Sequence, residues 1–196
     1  MPKKILFLHG FGESSLLAGM STVSLKAALD KEKIEMDVLE GFTKLSASEM
    51  GPIVDPVYRE SCIAGDFDAM CWYPLVKGIE TGGHRSKDYE DFAFRSTTAS
   101  QDEACQKLVK YIESIGGVDG IVGFSQGGEL GYLTAEHLSC SGRLKEPCFA
   151  KLRFIGTFGS EDSFNQRGSA PANINGMLSF FVCYGSGGLD AVHDSA

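Results

Sequence analysis

Short apolar runs and amphipathic segments alternate along most of the chain. Residues 5–8, Ile-Leu-Phe-Leu, form a continuous apolar run between two lysines and His9-Gly10, which is typical of a strand buried on both faces. Four later segments also predict strands, although acidic residues alternate with apolar ones in the first of them: Ile34–Leu39, Gly120–Phe124, 152–158 and 178–184.

Apolar positions between these runs recur at helical spacing. They predict helices over about residues 14–30, 100–115 and 126–138, the first of them capped by Ser14 or Ser15. Strands that alternate with helices are typical of an α/β fold. The pattern therefore predicts a mostly parallel central sheet with helices on both faces.

The region from about residue 40 to residue 98 lacks clear periodicity. We interpret it as a loop-rich covering region with one short strand near residues 69–72. Its aromatic residues are plausible walls for an acyl chain, although ordinary core packing accounts for them equally well: Trp72, Tyr73, Phe92 and Phe94. The length of 196 residues predicts a single domain over residues 1–196.

Composition narrows the possible partners and compartment. Acidic residues outnumber basic ones, 26 to 18, and the formal net charge of -8 argues against binding to nucleic acid or to an anionic membrane surface. No stretch reaches the 18 apolar residues that predict a membrane span. Six cysteines without a CxxC pair, and no secretory signal, favour reduced thiols in a cytoplasmic protein.

The strongest chemical signal is a G-x-S-x-G motif centred on Ser125. A predicted strand leads into it and a predicted helix follows, which is the setting of a nucleophile elbow. Ser125 would be the nucleophile, Gly123 and Gly127 would leave room for neighbouring chain, and the Gln126 backbone N–H would face a developing oxyanion. The alternative is a glycine-rich tight turn without chemistry.

Two further segments could complete such a site. His9-Gly10-Phe11-Gly12 follows the first strand, where α/β-hydrolases place a second oxyanion donor, and the Phe11 N–H is the candidate. We expect His9 to hold this loop by hydrogen bonds; a phosphate-binding loop would need a different motif. Asp190, in the glycine-rich loop after the last strand, is the candidate triad acid, since it follows Ser125 in the order Ser, Asp, His.

These three segments, in this order and spacing, resemble the FSH family of serine hydrolases, which are small α/β-hydrolases. The resemblance implies hydrolysis of carboxylic esters or thioesters by a Ser–Asp–His triad through an acyl-enzyme intermediate. It implies Ser125 as nucleophile, Asp190 as acid, and Phe11 and Gln126 as oxyanion donors. The implied partner is a small-molecule ester or thioester substrate, and the mechanism needs no cofactor or metal.

The catalytic histidine does not match the family pattern, in which it follows the aspartate on a later loop. We expect the C-terminal end of the domain, including this histidine and a last strand and helix, to lie outside this sequence. His193 and His84 are weaker candidates for the base. His137 fits a helix surface, and His137 with Cys140 supplies too few ligands for a metal site.

Two other functions stay open from the sequence. A truncated or degenerate hydrolase fold without its histidine could act as a non-catalytic binding or interaction module. A nucleotide-binding flavodoxin-like domain is a more remote possibility.

Overall fold

The computed structural model describes residues 3–50, 54, 56–77, 94–95, 97–158 and 179–183. The α-helices in this part of the chain are α1 (Ser15–Ser21), α2 (Val23–Lys31), α3 (Ala47–Met50), α4 (Pro56–Ala64), α5 (Thr98–Ser114) and α6 (Gln126–Cys140), and a short 3₁₀ helix spans Arg143–Lys145. The strands are β1 (Lys3–Leu8), β2 (Ile34–Leu39), β3 (Thr43–Lys44), β4 (Met70–Cys71), β5 (Val76–Lys77), β6 (Phe94–Arg95), β7 (Gly120–Phe124), β8 (Phe154–Phe158) and β9 (Ser179–Cys183).

A parallel sheet forms the centre of the described structure. Its five strands run in the order β2-β1-β7-β8-β9, and every neighbouring pair is parallel. Register places Leu8 beside Gly123 and Phe124 beside Phe158, so the carboxyl ends of β1, β7 and β8 meet at one edge. The pairs β3–β4 and β5–β6 are short and antiparallel.

Alternate residues of β1 point to opposite faces of the sheet, and both faces are covered. Leu6 and Leu8 pack in one apolar core with residues of α5 and α6. Ile5 and Phe7 pack in another with Ala18 of α1 and, at its margin, Leu29 of α2. The predicted α/β class, with helices on both faces of a parallel sheet, is confirmed.

The segment predicted as one helix over residues 14–30 is two helices. Ser14 caps α1, because its side chain accepts a hydrogen bond from the Leu17 N–H at 3.4 Å. Thr22 separates α1 from α2, and its hydroxyl donates to the Ala18 carbonyl at 2.6 Å. Such bonding to the carbonyl four residues back competes with helix geometry, and the apolar spacing alone does not reveal it.

The region of residues 40–98 holds more regular structure than its weak periodicity predicts. The short strand expected near residues 69–72 is β4, but α3 and α4 were missed. Before α3, the Ser46 N–H and hydroxyl both donate to the Glu49 carboxylate, at 2.8 and 2.6 Å. This Ser-x-x-Glu spacing, and Pro56 at the start of α4, are sequence signals for helix starts.

Among the described helices, none combines the length and apolar character that crossing a lipid bilayer requires.

Candidate functional site

Ser125 occupies the turn between β7 and α6 in a conformation that side chains rarely adopt. Its φ is 50° and its ψ is -119°, a region that glycine tolerates and residues with a Cβ avoid. Two backbone hydrogen bonds hold it there. The Ser125 N–H donates to the Phe158 carbonyl at 2.7 Å, and the Ser125 carbonyl accepts from the Glu129 N–H at 3.1 Å.

The glycines on either side of Ser125 allow two close backbone approaches. A Cβ on Gly123 would lie 2.4 Å from the carbonyl carbon of Gly127, inside the turn itself. A Cβ on Gly127 would lie 2.3 Å from the Leu8 carbonyl oxygen and 2.5 Å from that of His9. Both positions therefore require glycine, and the second brings the start of α6 against the end of β1.

His9 is fully buried and has a structural role. Its Nδ1–H donates to the Gly10 carbonyl at 2.8 Å, and its Nε2 accepts from the Gly41 N–H at 3.0 Å. Burial lowers the pKa of His9 below its usual value, outweighing its bond to Gly10 and the nearby carboxylates of Glu13 and Glu40. A neutral ring whose two nitrogens are both engaged does not act as the base.

The loop after β1 is tied to β4 on its other side. The Gly12 N–H donates to the Met70 carbonyl, and the Met70 N–H donates to the Glu13 carbonyl, both at 2.9 Å. The Glu13 carboxylate also accepts the Gly10 N–H at 2.7 Å. Among the described residues the Phe11 N–H has no hydrogen-bond acceptor.

Gln126 presents its backbone and its side chain in different directions. The side-chain oxygen accepts the Trp72 N–H at 3.0 Å, and the side-chain nitrogen donates to the Tyr73 carbonyl at 2.8 Å. Gln126 is buried by these contacts. Its backbone N–H belongs to the first turn of α6, where N–H groups have no partner inside the helix and the helix dipole favours an anion.

The described aromatic residues that are exposed near the site are not those expected from the sequence to line an acyl pocket. Trp72 and Tyr73, considered as walls of an acyl pocket, are 1% exposed and belong to the core. Phe92 and the Phe94 side chain lie outside what the structure describes. At the carboxyl ends of β7 and β8, Phe124 and Phe158 are 44% and 39% exposed and flank Ser125.

His137 lies on α6, twelve residues beyond Ser125, which corresponds to about 18 Å along a helix axis. That distance excludes it as a partner of Ser125. It lines a cleft of about 220 Å³ between α5 and α6, together with Cys105 and Cys140. In the described segments no three His, Cys, Asp or Glu side chains are placed to hold a metal. Asp190, His193 and His84 lie outside the described residues.

A serine at a sharp strand-to-helix turn, on the carboxyl edge of a parallel sheet, is typical of α/β-hydrolases. The family model of the serine hydrolases named FSH1 matches residues 1–185 of the chain. The chain therefore belongs to the FSH1 serine hydrolase family, as its motifs indicated.

Further similarities are more distant. The chain is 26% identical over 164 residues to a dihydrofolate reductase of Schizosaccharomyces pombe, covering 82% of this chain and 32% of that protein. It thus spans about a third of the curated relative. Among solved structures, esterase PE8 has a TM-score of 0.49 at 12% identity, covering 94% of this chain and 84% of PE8. Arabidopsis thaliana SOBER1 has a TM-score of 0.45 at 14% identity, covering 94% and 89%.

Proposed function

We propose that this protein hydrolyses carboxylic esters or thioesters through an acyl-enzyme intermediate on Ser125. The observation that carries the proposal is the backbone of Ser125. A positive φ at the end of β7, between two glycines that pack against other backbone, supports the proposal that this turn is a nucleophile elbow. Strain of this kind concentrates at functional sites, and it is maintained here by the surrounding contacts.

In the proposed reaction the Ser125 hydroxyl oxygen attacks the substrate carbonyl carbon while an imidazole takes the hydroxyl proton. The carbonyl oxygen becomes an oxyanion and accepts the N–H groups of Phe11 and Gln126. Collapse of this intermediate breaks the bond to the alcohol or thiol, which leaves with the proton from the imidazole. Water then cleaves the acyl-enzyme by the same steps, and neither a metal nor a cofactor takes part.

The remaining groups of the proposed triad come from outside the described residues. Asp190 would orient the imidazole and stabilise its charged form, as its place in the Ser–Asp–His order implies. Within this sequence His193 and His84 are the weaker candidates for the base, because His9 is buried with both nitrogens engaged and His137 is too distant. The family pattern instead places the histidine on a later loop after the aspartate.

The exposed residues Phe124 and Phe158 support a substrate with an apolar acyl group, since Phe124 precedes Ser125 in the chain and the Phe158 carbonyl accepts the Ser125 N–H. The described side chains of Cys62, Cys71, Cys105, Cys140 and Cys148 are free thiols, which supports a cytoplasmic location.

The reductase activity named for the S. pombe relative is not proposed, because the chain spans only about a third of that protein.

Covalent labelling tests the proposed nucleophile directly. We expect a fluorophosphonate probe to modify the folded parent chain at one site per molecule, and Ser125→Ala to remove that modification. Intact-mass spectrometry gives the stoichiometry and peptide mapping gives the modified residue. A folded parent chain that is not modified, or is modified elsewhere, contradicts the proposal.

The same probe identifies the base. If the base is His84 or His193, its alanine variant should lower the labelling rate and ester turnover by about 10⁴-fold or more, and the alanine variant of the other histidine should leave both unchanged. Circular dichroism on each variant controls for folding. Equal rates in the parent and both variants would show that neither histidine is the base.

A further inference from the structure

The segment Met70–Tyr73, here called the brace, contacts both elements that carry the proposed oxyanion donors. At its start, Met70 forms two backbone hydrogen bonds with Gly12 and Glu13 of the loop that contains Phe11. At its end, Trp72 and Tyr73 hold the side chain of Gln126 through their backbone N–H and carbonyl. One short segment thus links two regions more than 100 residues apart in sequence.

The Trp72 side chain adds a further hydrogen bond to the chain segment that carries Phe11. Its indole N–H donates to the His9 carbonyl at 2.7 Å, two residues before Phe11, and its ring lies 4.8 Å from the imidazole of His9. Its own backbone N–H donates to Gln126. A single residue is therefore bonded to both donor-carrying elements.

The Gln126 amide is matched to its two partners. Its oxygen supplies the acceptor for the Trp72 N–H, and its nitrogen supplies the donor for the Tyr73 carbonyl. All of these groups are buried. A buried bond lost here leaves its partner unsatisfied, so the pairing defines one orientation of the first turn of α6. That orientation directs the Gln126 N–H.

We propose that Trp72 and the Gln126 side chain are positioning residues that set the separation and aim of the two oxyanion donors, Phe11 and Gln126. This inference rests on the proposed function, because the donors matter only if an oxyanion forms. Transition-state stabilisation by such donors depends strongly on geometry, and a displacement near 1 Å costs about 100-fold in rate.

The test compares Trp72→Phe, which removes the indole N–H and keeps an aromatic ring, with Gln126→Met, which removes both amide bonds at similar volume. Phe149→Leu, in the same core but outside these hydrogen bonds, controls for lost packing. We expect turnover of p-nitrophenyl butyrate per fluorophosphonate-labelled site to fall roughly 10- to 100-fold in the first two variants. KM and the labelled fraction should stay at the parent values, and Phe149→Leu should keep parent turnover per labelled site.

Two results would overturn the inference while leaving the proposed function intact. One is parent turnover per labelled site in both variants, and the other is a loss confined to the labelled fraction, which a purely structural role produces. If Gln126→Met does not fold, Trp72→Phe decides alone. Failure of the parent chain to label instead contradicts the proposed function, so the two failures are distinguishable.

Discussion

The backbone of Ser125 has a strained conformation, and contacts with other parts of the molecule maintain it. A residue with a Cβ held at φ 50° and ψ -119° costs about 1–3 kcal/mol relative to a relaxed conformation. The bonds to Phe158 and Glu129 and the close packing of Gly123 and Gly127 maintain it. A free-energy cost at one residue, retained in a folded domain, is consistent with the catalytic role proposed for it.

We predict that Ser125→Gly is more stable than Ser125→Ala by about 1 kcal/mol or more, because glycine adopts this conformation without strain. Both variants lose the same hydroxyl, so their difference reports on the strain at the Cβ, reduced by the greater conformational entropy that glycine loses on folding. Urea unfolding monitored by circular dichroism gives the two free energies. A glycine variant less stable than the alanine variant would show that the turn is not strained.

The motif around Ser125 was visible in the sequence because a nucleophile between small residues, at the junction of a strand and a helix, is typical of one kind of turn. The role of the Gln126 side chain was not visible. Its partners, Trp72 and Tyr73, lie more than 50 residues away and offer backbone groups, which carry no residue-specific signal. The same two rings were considered as pocket walls because sequence does not show which aromatic residues become buried.

At the scale of elements, the contact between β1 and α6 depends on a glycine, Gly127, which has no side chain. Gly127 allows the first turn of α6 to approach the carbonyls of Leu8 and His9 within distances that no Cβ permits. This approach places the Ser125 turn beside the loop that follows β1. The position of α6 against β1 therefore determines where Ser125 lies relative to the loop that contains Phe11.

We predict that Gly127→Ala destabilises the protein by at least about 1–3 kcal/mol, because the new methyl group overlaps backbone atoms that cannot rotate away. Gly19→Ala is the matched control, since it adds the same methyl group to helix α1 with no atom within 4 Å. There we expect a gain of up to about 1 kcal/mol from helix propensity. Thermal melts of both variants decide, and a neutral Gly127→Ala would refute the close contact.

Elements with a buried apolar face were predicted well. Strands β2 and β7 have the predicted bounds, and the helix predicted over residues 126–138 extends to Cys140. Helix α4 was missed because none of its residues is buried, so no apolar stripe marks it. Helix α3 has only four residues, too few to show a period, although its Ser46–Glu49 capping pair is readable.

At the scale of the whole molecule, His9 links folding to pH. Burial holds its pKa below the ordinary value of 6.5 in the folded protein, whereas the unfolded chain has that ordinary value. As pH falls through 6.5 the unfolded chain binds a proton before the folded protein does. The free energy of unfolding therefore decreases with falling pH, from 6.5 down to the lower pKa of the folded state.

We predict that His9→Gln flattens this dependence, since its amide oxygen can replace Nε2 as acceptor for Gly41 without titrating. The parent should lose up to about 1.4 kcal/mol per pH unit below pH 6.5 from this residue. Urea unfolding at pH 7.5, 6.5 and 5.5 measures the slope. The control His137→Gln leaves His9 in place and should keep the parent slope, and an unchanged slope in His9→Gln would contradict the prediction.

The order of the central strands determines how long β1 waits for its partner strand β7 during synthesis. Ile5 of β1 pairs with Gly120 of β7, so neighbouring strands at the middle of the sheet are 115 residues apart. At a synthesis rate of about 5–20 residues per second, roughly 6–23 s pass between the appearance of β1 and of its partner. During that interval the β1 edge that later pairs with β7 has no partner strand, so its apolar residues are exposed to aggregation or chaperone binding on the ribosome.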